Sequence, residues 1–235
     1  SIHGEPAPTP EEKPVLNLRH SGRALGSRNL PLTLEVGARS YRLVQTYKHA
    51  FVSAVGLYRD GPDRVVLKCY RSVPFLGLPL QWAGRLMASY ESYVMRGLQH
   101  LDGVPRLLAR HGPTGLVHEY IPGEPLTRRS EVDDEFFPRL HHLLTQMHDR
   151  GVAYVDLEKP SNILLGSDGR PYLIDLQIAF CWPKRLMGHT WLVRLLRRIL
   201  QKSDMYHLRK HWRRVRPDQL SEEEIAASRR KPRAV

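Results

Sequence analysis

The amino-acid sequence predicts an α+β protein with two lobes, a small antiparallel β lobe with one helix and a reduced, mainly helical lobe. Short β-rich runs dominate the first half, Pro-Gly-Glu-Pro at 122–125 interrupts the pattern, and helical spacing dominates afterwards. The predicted divisions are a flexible arm at 1–33, a first lobe at 34–121, a second lobe at 122–180 and a basic helical extension at 181–235.

Composition and charge narrow the classes of partner. The 235 residues carry 36 Lys or Arg against 24 Asp or Glu, a formal charge of +12. The excess is concentrated in residues 181–235, which hold fifteen Lys or Arg and five Asp or Glu. Such a block favours an anionic partner: a phospholipid surface, a phosphorylated glycan or nucleic acid. Few aromatic residues are interleaved with the basic ones, which argues against nucleic acid.

The sequence also carries signals about the compartment. No apolar run approaches the roughly 18 residues of a membrane-spanning helix, and two cysteines favour a reduced compartment over a disulfide framework. We therefore expect a cytoplasmic protein, and the basic extension leaves open a peripheral position at the inner membrane face. The chain does not begin with Met, so a preceding targeting segment is left open.

The first lobe is predicted to contain five strands and one helix. Apolar residues at helical spacing, beginning with Trp82 and Leu86, predict the helix. Lys68 lies between apolar neighbours in a strand, and a buried lysine needs an anion. Glu91, the only acid of the helix, is the natural partner; an edge lysine with its charge in solvent is the alternative. The strands are predicted at 41–45, 52–58, 64–70, 107–109 and 116–121, and the helix at 81–101.

The second lobe is predicted to begin with a helix at 136–149, whose apolar residues recur on one side. His141, His142 and His148 lie on this helix without the spacing of metal ligands, so a metal site is not expected there. His148 is interpreted as a packed residue at the helix end.

The basic extension predicts two successive helices at 190–202 and 203–216, and Ser221 opens a third. Large apolar residues beginning at Trp191 alternate with arginines in the first of them, which makes it amphipathic. Two interpretations stay open: a helix lying on a membrane surface, or a helix packing on its own domain with its arginines outward.

Residues 151–180 carry the polar groups of a candidate site. Asp156 is followed by Lys159 and Asn162; an apolar strand, a Gly-Ser-Asp-Gly turn and a second strand then lead to Asp175. Two carboxylates and an amide at adjacent loop ends can hold a divalent metal and orient a hydroxyl, as phosphoryl transfer requires. A surface hairpin with ordinary turn residues is the alternative.

Together with the strand lysine and the helix glutamate, this stretch resembles the protein-kinase-like superfamily over residues 34–180. The resemblance implies a bilobal protein-kinase-like fold that uses ATP and Mg²⁺. Lys68, in Val-Val-Leu-Lys, looks like the lysine that holds the α- and β-phosphates, and Glu91 looks like its helix partner. The backbone from Glu119 to Ile121 resembles the hinge that binds adenine, with His118 beside the pocket.

The same resemblance gives roles to the central stretch. Tyr-Val-Asp at 154–156 is similar to the catalytic-loop His-Arg-Asp, which implies that Asp156 orients the acceptor hydroxyl and that Lys159 steadies the γ-phosphate. Asn162 and Asp175 would bind Mg²⁺. Leu164, on the strand between them, would form the floor of the adenine pocket.

The sequence also departs from the family pattern. Asn162 is the sixth residue after Asp156, where the fifth is usual, and the nucleotide-covering loop at 47–51 has no glycine. Lys48, in that loop, is expected to contact phosphate instead. No Ala-Pro-Glu segment follows Asp175. This shortened form looks like the atypical bacterial kinases of the lipopolysaccharide-core and RIO type.

Two functions from different classes follow. The first is an ATP-dependent phosphotransferase that moves the γ-phosphate to a hydroxyl of a lipid-linked sugar or of a protein Ser or Thr. The second is a pseudokinase, a nucleotide-binding or interaction module without turnover, which the missing glycines and the extra residue favour.

Overall fold

The computed structural model describes residues 22–76, 78–181 and 190–229 of the 235-residue chain. The strands are β1 (Thr33–Val36), β2 (Arg39–His49), β3 (Ser53–Asp60), β4 (Asp63–Tyr70), β5 (Leu107–His111), β6 (Gly115–Glu119), β7 (Gly123–Pro125), β8 (Val152–Ala153), β9 (Ile163–Gly166), β10 (Pro171–Leu173) and β11 (Phe180–Cys181). The helices are α1 (Gln81–Leu98), α2 (Phe136–Asp149), α3 (Trp191–Val215) and α4 (Glu222–Arg229), with 3-10 turns at Pro160–Asn162 and Pro217–Gln219.

The first lobe is an antiparallel sheet of six strands in the order β1-β2-β3-β4-β6-β5, against which α1 packs. The prediction of five strands was wrong, because β1 forms a sixth. This strand has only four residues and buries only Leu34 fully, too little alternation for a strand signal. A two-residue turn at Gly37, whose φ is +61°, joins it to β2.

The alternation of β4 separates two environments. Val65, Leu67 and Cys69 pack into a cluster with Leu34 and other residues on one face of the sheet. The intervening residues, Lys68 among them, face the opposite side, because successive side chains of a strand point to opposite faces. In the described part of the predicted arm, residues 22–33, Ala24 and Leu30 are buried and Thr33 begins β1.

The buried face of α1 differs from the apolar spacing that predicted the helix. Trp82, Leu86 and Tyr93 are exposed, whereas Ala88 and Glu91 are buried together with Gly84, Ser92, Val94, Met95 and Leu98. Small residues on this face let α1 approach the end of β4 closely. The helix thereby turns its one carboxylate toward Lys68.

Replacing Gly84 by alanine is expected to destabilise the first lobe. A Cβ at this position would lie 2.0 Å from the backbone oxygen of Arg71, so α1 would have to move away from β4. Overpacking of this kind typically costs about 1–3 kcal/mol in the free energy of unfolding. Urea denaturation measures the change.

The control is Gly97→Ala on the same helix, where a Cβ would meet nothing within 4 Å. This substitution should raise the free energy of unfolding by roughly 0.5–1 kcal/mol because alanine favours helix over glycine. Equal stability of Gly84→Ala and the wild type would contradict the close packing of α1 on β4.

The second lobe is built on α2 and α3. The helix predicted at 136–149 is confirmed as α2, with Phe136, Phe137, Leu140, Leu143, Leu144 and Met147 buried. Two small sheets, β10-β9-β7 and β11-β8, frame the loops beside it. One apolar cluster runs from Val94 and Leu98 of α1 through α2 to Leu208 of α3, so the two lobes share a core.

In its described part, residues 190–229, the extension forms one long helix followed by a short one. The prediction of separate helices at 190–202 and 203–216 was wrong, because α3 runs unbroken from Trp191 to Val215. Asp204, at the predicted boundary, is buried inside α3 and accepts a hydrogen bond from the loop that follows β8. A capping box starts α4, with Ser221 and Glu224 each accepting the other's backbone N–H. None of the helices within residues 22–76, 78–181 and 190–229 has the length and apolar character needed to span a bilayer.

Candidate active site

Lys68 lies at the centre of a buried ion-pair set. Its Nζ is 2.9 Å from Glu91 Oε1 and 2.7 Å from Asp175 Oδ1, although these residues come from β4, α1 and the loop after β10. Lys68 and Glu91 are 5% and 3% exposed, so neither charge has water to screen it. The predicted partnership of Lys68 and Glu91 is present as a contact, and the edge-lysine alternative does not hold.

The ion pair favours the charged forms of Lys68 and Asp175. Burial opposes the charge of Lys68, but the Glu91 and Asp175 carboxylates outweigh it and raise the pKa of Lys68. Burial also opposes the charge of Asp175, but Lys68 lowers the pKa of this carboxyl. Burial and the Glu91 carboxylate raise the pKa of Tyr70. The Tyr70 hydroxyl therefore stays protonated and donates a hydrogen bond to Glu91 Oε2.

Asp156, Lys159 and Asn162 meet on the loop between β8 and β9. Asp156 Oδ2 accepts hydrogen bonds of 2.8 Å from Lys159 Nζ and of 2.8 Å from Asn162 Nδ2. Asp156 is 6% exposed, whereas the Lys159 side chain is 61% exposed. The hydrogen bond to Asp156 raises the pKa of Lys159. The Asn162 amide thus reaches the Asp156 carboxylate although the sequence between them is one residue longer than the family pattern.

The backbone of both polar loops is held in an uncommon conformation. Val155 has φ of +71° and Asp175 has φ of +61°, a region that residues with a Cβ rarely adopt. The Tyr154 hydroxyl donates to the Ile174 carbonyl, and the Ile174 N–H donates to the Asn162 carbonyl at 3.0 Å. These bonds tie the two loops to each other.

Asp204, from the middle of α3, fixes the backbone beside Asp156. Its carboxylate accepts the N–H groups of Tyr154 and Val155, each at 2.8 Å, and lies 3.0 Å from His148 Nε2. Asp204 is fully buried. It is the only acid in a helix that holds eight Lys or Arg, and this lone acid was the one sequence signal that pointed to it. Its role could not be predicted from the sequence, because its partner is a backbone segment about fifty residues away.

A cavity of about 370 Å³ opens between the lobes above these loops. Apolar side chains such as Val55, Val66 and Leu173 line one part of it, and Lys68 and Asp175 line another. His118 also lines the cavity; burial lowers the pKa of this imidazole, and the neutral ring donates from Nδ1 to the Glu119 carbonyl at 2.8 Å. The cavity thus joins an apolar slot to a charged end.

Seven of the ten residues predicted for the site line this cavity: Lys48, Lys68, Glu91, Glu119, Ile121, Leu164 and Asp175. The other three, Asp156, Lys159 and Asn162, form the adjoining cluster described above. Ser161, which lies between Lys159 and Asn162 in the sequence, also lines the cavity. A larger groove of about 860 Å³ shares only Glu119 and Ile121 with the predicted set, and it lacks the buried ion pairs.

The oxygen donors at the charged end suit a hard divalent cation. Mg²⁺ is usually held by one or two carboxylates, with waters and substrate phosphates completing its coordination. Asp175 offers a carboxylate, and Asn162 directs its amide nitrogen to Asp156, which leaves its amide oxygen as the atom able to ligate. Within the described ranges, no three His, Cys, Asp or Glu side chains gather as a metal site. The donor set therefore fits a cation bound jointly with phosphate.

No protein-family model and no curated protein sequence matches the chain. Among solved structures, it is similar to the Rio2 kinase-ADP/Mg²⁺-phosphoaspartate complex from Chaetomium thermophilum, with a TM-score of 0.55 and 18% identity over 81% of this chain and 58% of that one. A second structure of Rio2 kinase from the same organism gives a TM-score of 0.54 and 18% identity over 78% and 58% of the two chains. The match thus spans less than two thirds of the Rio2 chain. The likeness confirms the predicted bilobal fold, whereas the lipopolysaccharide-core subtype stays a prediction.

Proposed function

We propose, on the premise that this chain has the protein-kinase-like fold, that it is an ATP-dependent phosphotransferase acting on an alcohol hydroxyl. The observation that carries the proposal is the contact of Lys68 with both Glu91 and Asp175 at the charged end of the cavity. A buried lysine between two carboxylates, beside an apolar slot, is suited to a ligand with a flat base and a chain of phosphates.

The nucleotide would occupy the cavity with its base in the apolar part. Backbone groups from Glu119 to Ile121 would bind the adenine, and Leu164 would pack beneath it. Lys68 would bind the α- and β-phosphates, held in place by Glu91. Lys48 would contribute a second positive charge from the strand end above, where no glycine brings the backbone close.

In the transfer step, the bond from the γ-phosphorus to the β–γ bridging oxygen breaks, ADP leaves, and a bond forms to the acceptor oxygen. Asp156 would orient the acceptor hydroxyl and receive its proton, and Lys159 would stabilise charge on the γ-phosphoryl group. Asn162 and Asp175 would hold Mg²⁺, which supplies neutralisation of phosphate charge when bound. The chain's own contribution is mainly positioning, because its polar groups are already fixed by mutual hydrogen bonds.

For the acceptor we favour a lipid-linked sugar over a protein Ser or Thr. The support is the basic extension, whose positive charge suits a substrate presented among anionic headgroups. Transfer of labelled γ-phosphate to a lipid-linked sugar fraction and to a Ser/Thr-rich protein, measured side by side, distinguishes the two classes.

The test of the function itself combines binding with turnover. Mg-ATP should raise the melting temperature of the full chain, and Asp156→Asn should lower transfer by about a hundredfold to ten-thousandfold while leaving that rise in place. The matched control is Glu158→Gln, a nearby carboxylate whose side chain is 70% exposed, and its turnover should equal that of the wild type.

Two outcomes would count against a phosphotransferase. If Mg-ATP does not change the melting temperature, the proposed binding of nucleotide in the cavity is wrong. A shift without transfer to any acceptor would favour the pseudokinase alternative, for which the glycine-free loop at 47–51 is the supporting observation.

A further inference from the structure

The first half of α3 presents a row of large apolar side chains to solvent. Trp191, Leu192, Leu195 and Leu196 are between 39% and 65% exposed, and they form what we call the α3 stripe. Four neighbouring residues of this kind on one helix exceed the scattered apolar residues of an ordinary surface, and contiguous apolar patches mark interaction sites.

The α3 stripe lies on the side of the helix that faces away from the second lobe. The helix buries Asp204, Leu208 and His211 against the lobe. Leu195 precedes Asp204 by nine residues, which is about two and a half turns of an α-helix, so the two side chains point to opposite sides. No other residue that the structure describes packs over the stripe closely enough to bury its side chains.

Positive charge borders the stripe. Arg198 and Lys202 follow Leu195 by three and seven residues, which places them along one edge of the stripe, and both are exposed. Helix α3 as a whole carries eight Lys or Arg and one Asp. An apolar strip edged by cations matches a surface that offers hydrocarbon beneath a layer of negative charge.

We propose that the α3 stripe docks on the surface of an anionic lipid bilayer. Its apolar side chains would enter the boundary between headgroups and acyl chains, and Arg198 and Lys202 would contact lipid phosphates. An RNA partner would satisfy the cations but leave the leucines without an apolar environment. Pairing of two copies through the stripe would bring their positive edges together, which disfavours self-association.

The experiment is cosedimentation of the full chain with lipid vesicles in the absence of ATP. The protein should bind vesicles of mixed phosphatidylcholine and phosphatidylglycerol but not vesicles of phosphatidylcholine alone, and added NaCl should weaken the binding. The double variant Trp191→Ser, Leu195→Ser should lower the partition constant at least about tenfold. Serine at these two positions would bury less apolar surface in the bilayer than tryptophan and leucine do. Unchanged circular dichroism is expected, since both residues are exposed.

The matched control is Trp82→Ser on α1, whose indole is as exposed as that of Trp191, 63% against 65%. It should leave vesicle binding unchanged. The inference is overturned by no binding to mixed vesicles, by an equal loss in Trp82→Ser, or by dimerisation or RNA binding through the stripe in place of vesicle binding. Because the assay contains no nucleotide, its failure leaves the proposed phosphotransfer untouched, and a failure of phosphotransfer leaves vesicle binding untouched.

Discussion

Replacing Asp175 by asparagine is expected to reduce phosphate transfer at least about a thousandfold, because it removes the carboxylate proposed to hold Mg²⁺ against the phosphates. The same change removes the negative charge that lies 2.7 Å from Lys68 Nζ, so Glu91 would be the carboxylate left in contact with the lysine among the described residues. Measurement of turnover with labelled ATP gives the loss. Titration with Mg²⁺ at fixed ATP should also show a weaker dependence on the cation than in the wild type.

Asp168→Asn is the matched control for this variant. Asp168 lies on the turn between β9 and β10, next to the strand that leads to Asp175, but its carboxylate is bonded to Tyr172 and not to the cavity lysine. Its turnover should stay near that of the wild type. Transfer by Asp175→Asn within tenfold of the wild type would show that this carboxylate does not serve the reaction.

The second large effect is expected at Asp204, where alanine should lower the free energy of unfolding by at least about 3 kcal/mol. The substitution leaves the N–H groups of Tyr154 and Val155 without the carboxylate that accepts both at 2.8 Å. Buried donors without acceptors are costly, and Val155 is also held at a φ that β-branched residues avoid. The loop that carries Asp156 should therefore loosen, and transfer should fall with stability.

The control is Asp218→Ala, an exposed carboxylate of the same extension that pairs with Arg216. Surface pairs contribute about 0–1 kcal/mol, so chemical denaturation should separate the two variants clearly. A loss below about 1 kcal/mol in Asp204→Ala would contradict the role of this carboxylate as the anchor of the loop.

Local patterns predicted most of the elements, because each pattern is a property of a short segment. The apolar spacing of 136–149 identified α2 with the same bounds, and the β-rich runs located five of the six strands of the sheet. Four-residue β1 gave too few alternating residues to be recognised. In α1 the spacing identified the helix but not its buried side, because that side includes the small residues Gly84 and Ala88, which an apolar pattern does not mark.

The candidate site was predictable to the extent that it resembles a known order of residue types. Lys68, Glu91 and Asp175 were singled out by type and order along the chain, and the structure brings both carboxylates within 3 Å of Lys68 Nζ. The hydroxyl of Tyr70 and the carboxylate of Asp204 escaped notice, because neither belongs to a motif. Tyr70 bonds to Glu91 and Asp204 bonds to the backbone of Tyr154 and Val155, and both sets of partners are distant in sequence.

Propensity, spacing and residue type are local properties, and for this reason the sequence predicted most helices and strands and the candidate residues of one site. Three features followed from folding instead: Asn162 still meets Asp156 across an added residue, Asp204 in the basic extension holds the loop beside them, and the α3 stripe faces away from the core. Hydrogen-bond satisfaction and burial depend on which surfaces come together after the chain has folded, and a local pattern does not contain that information.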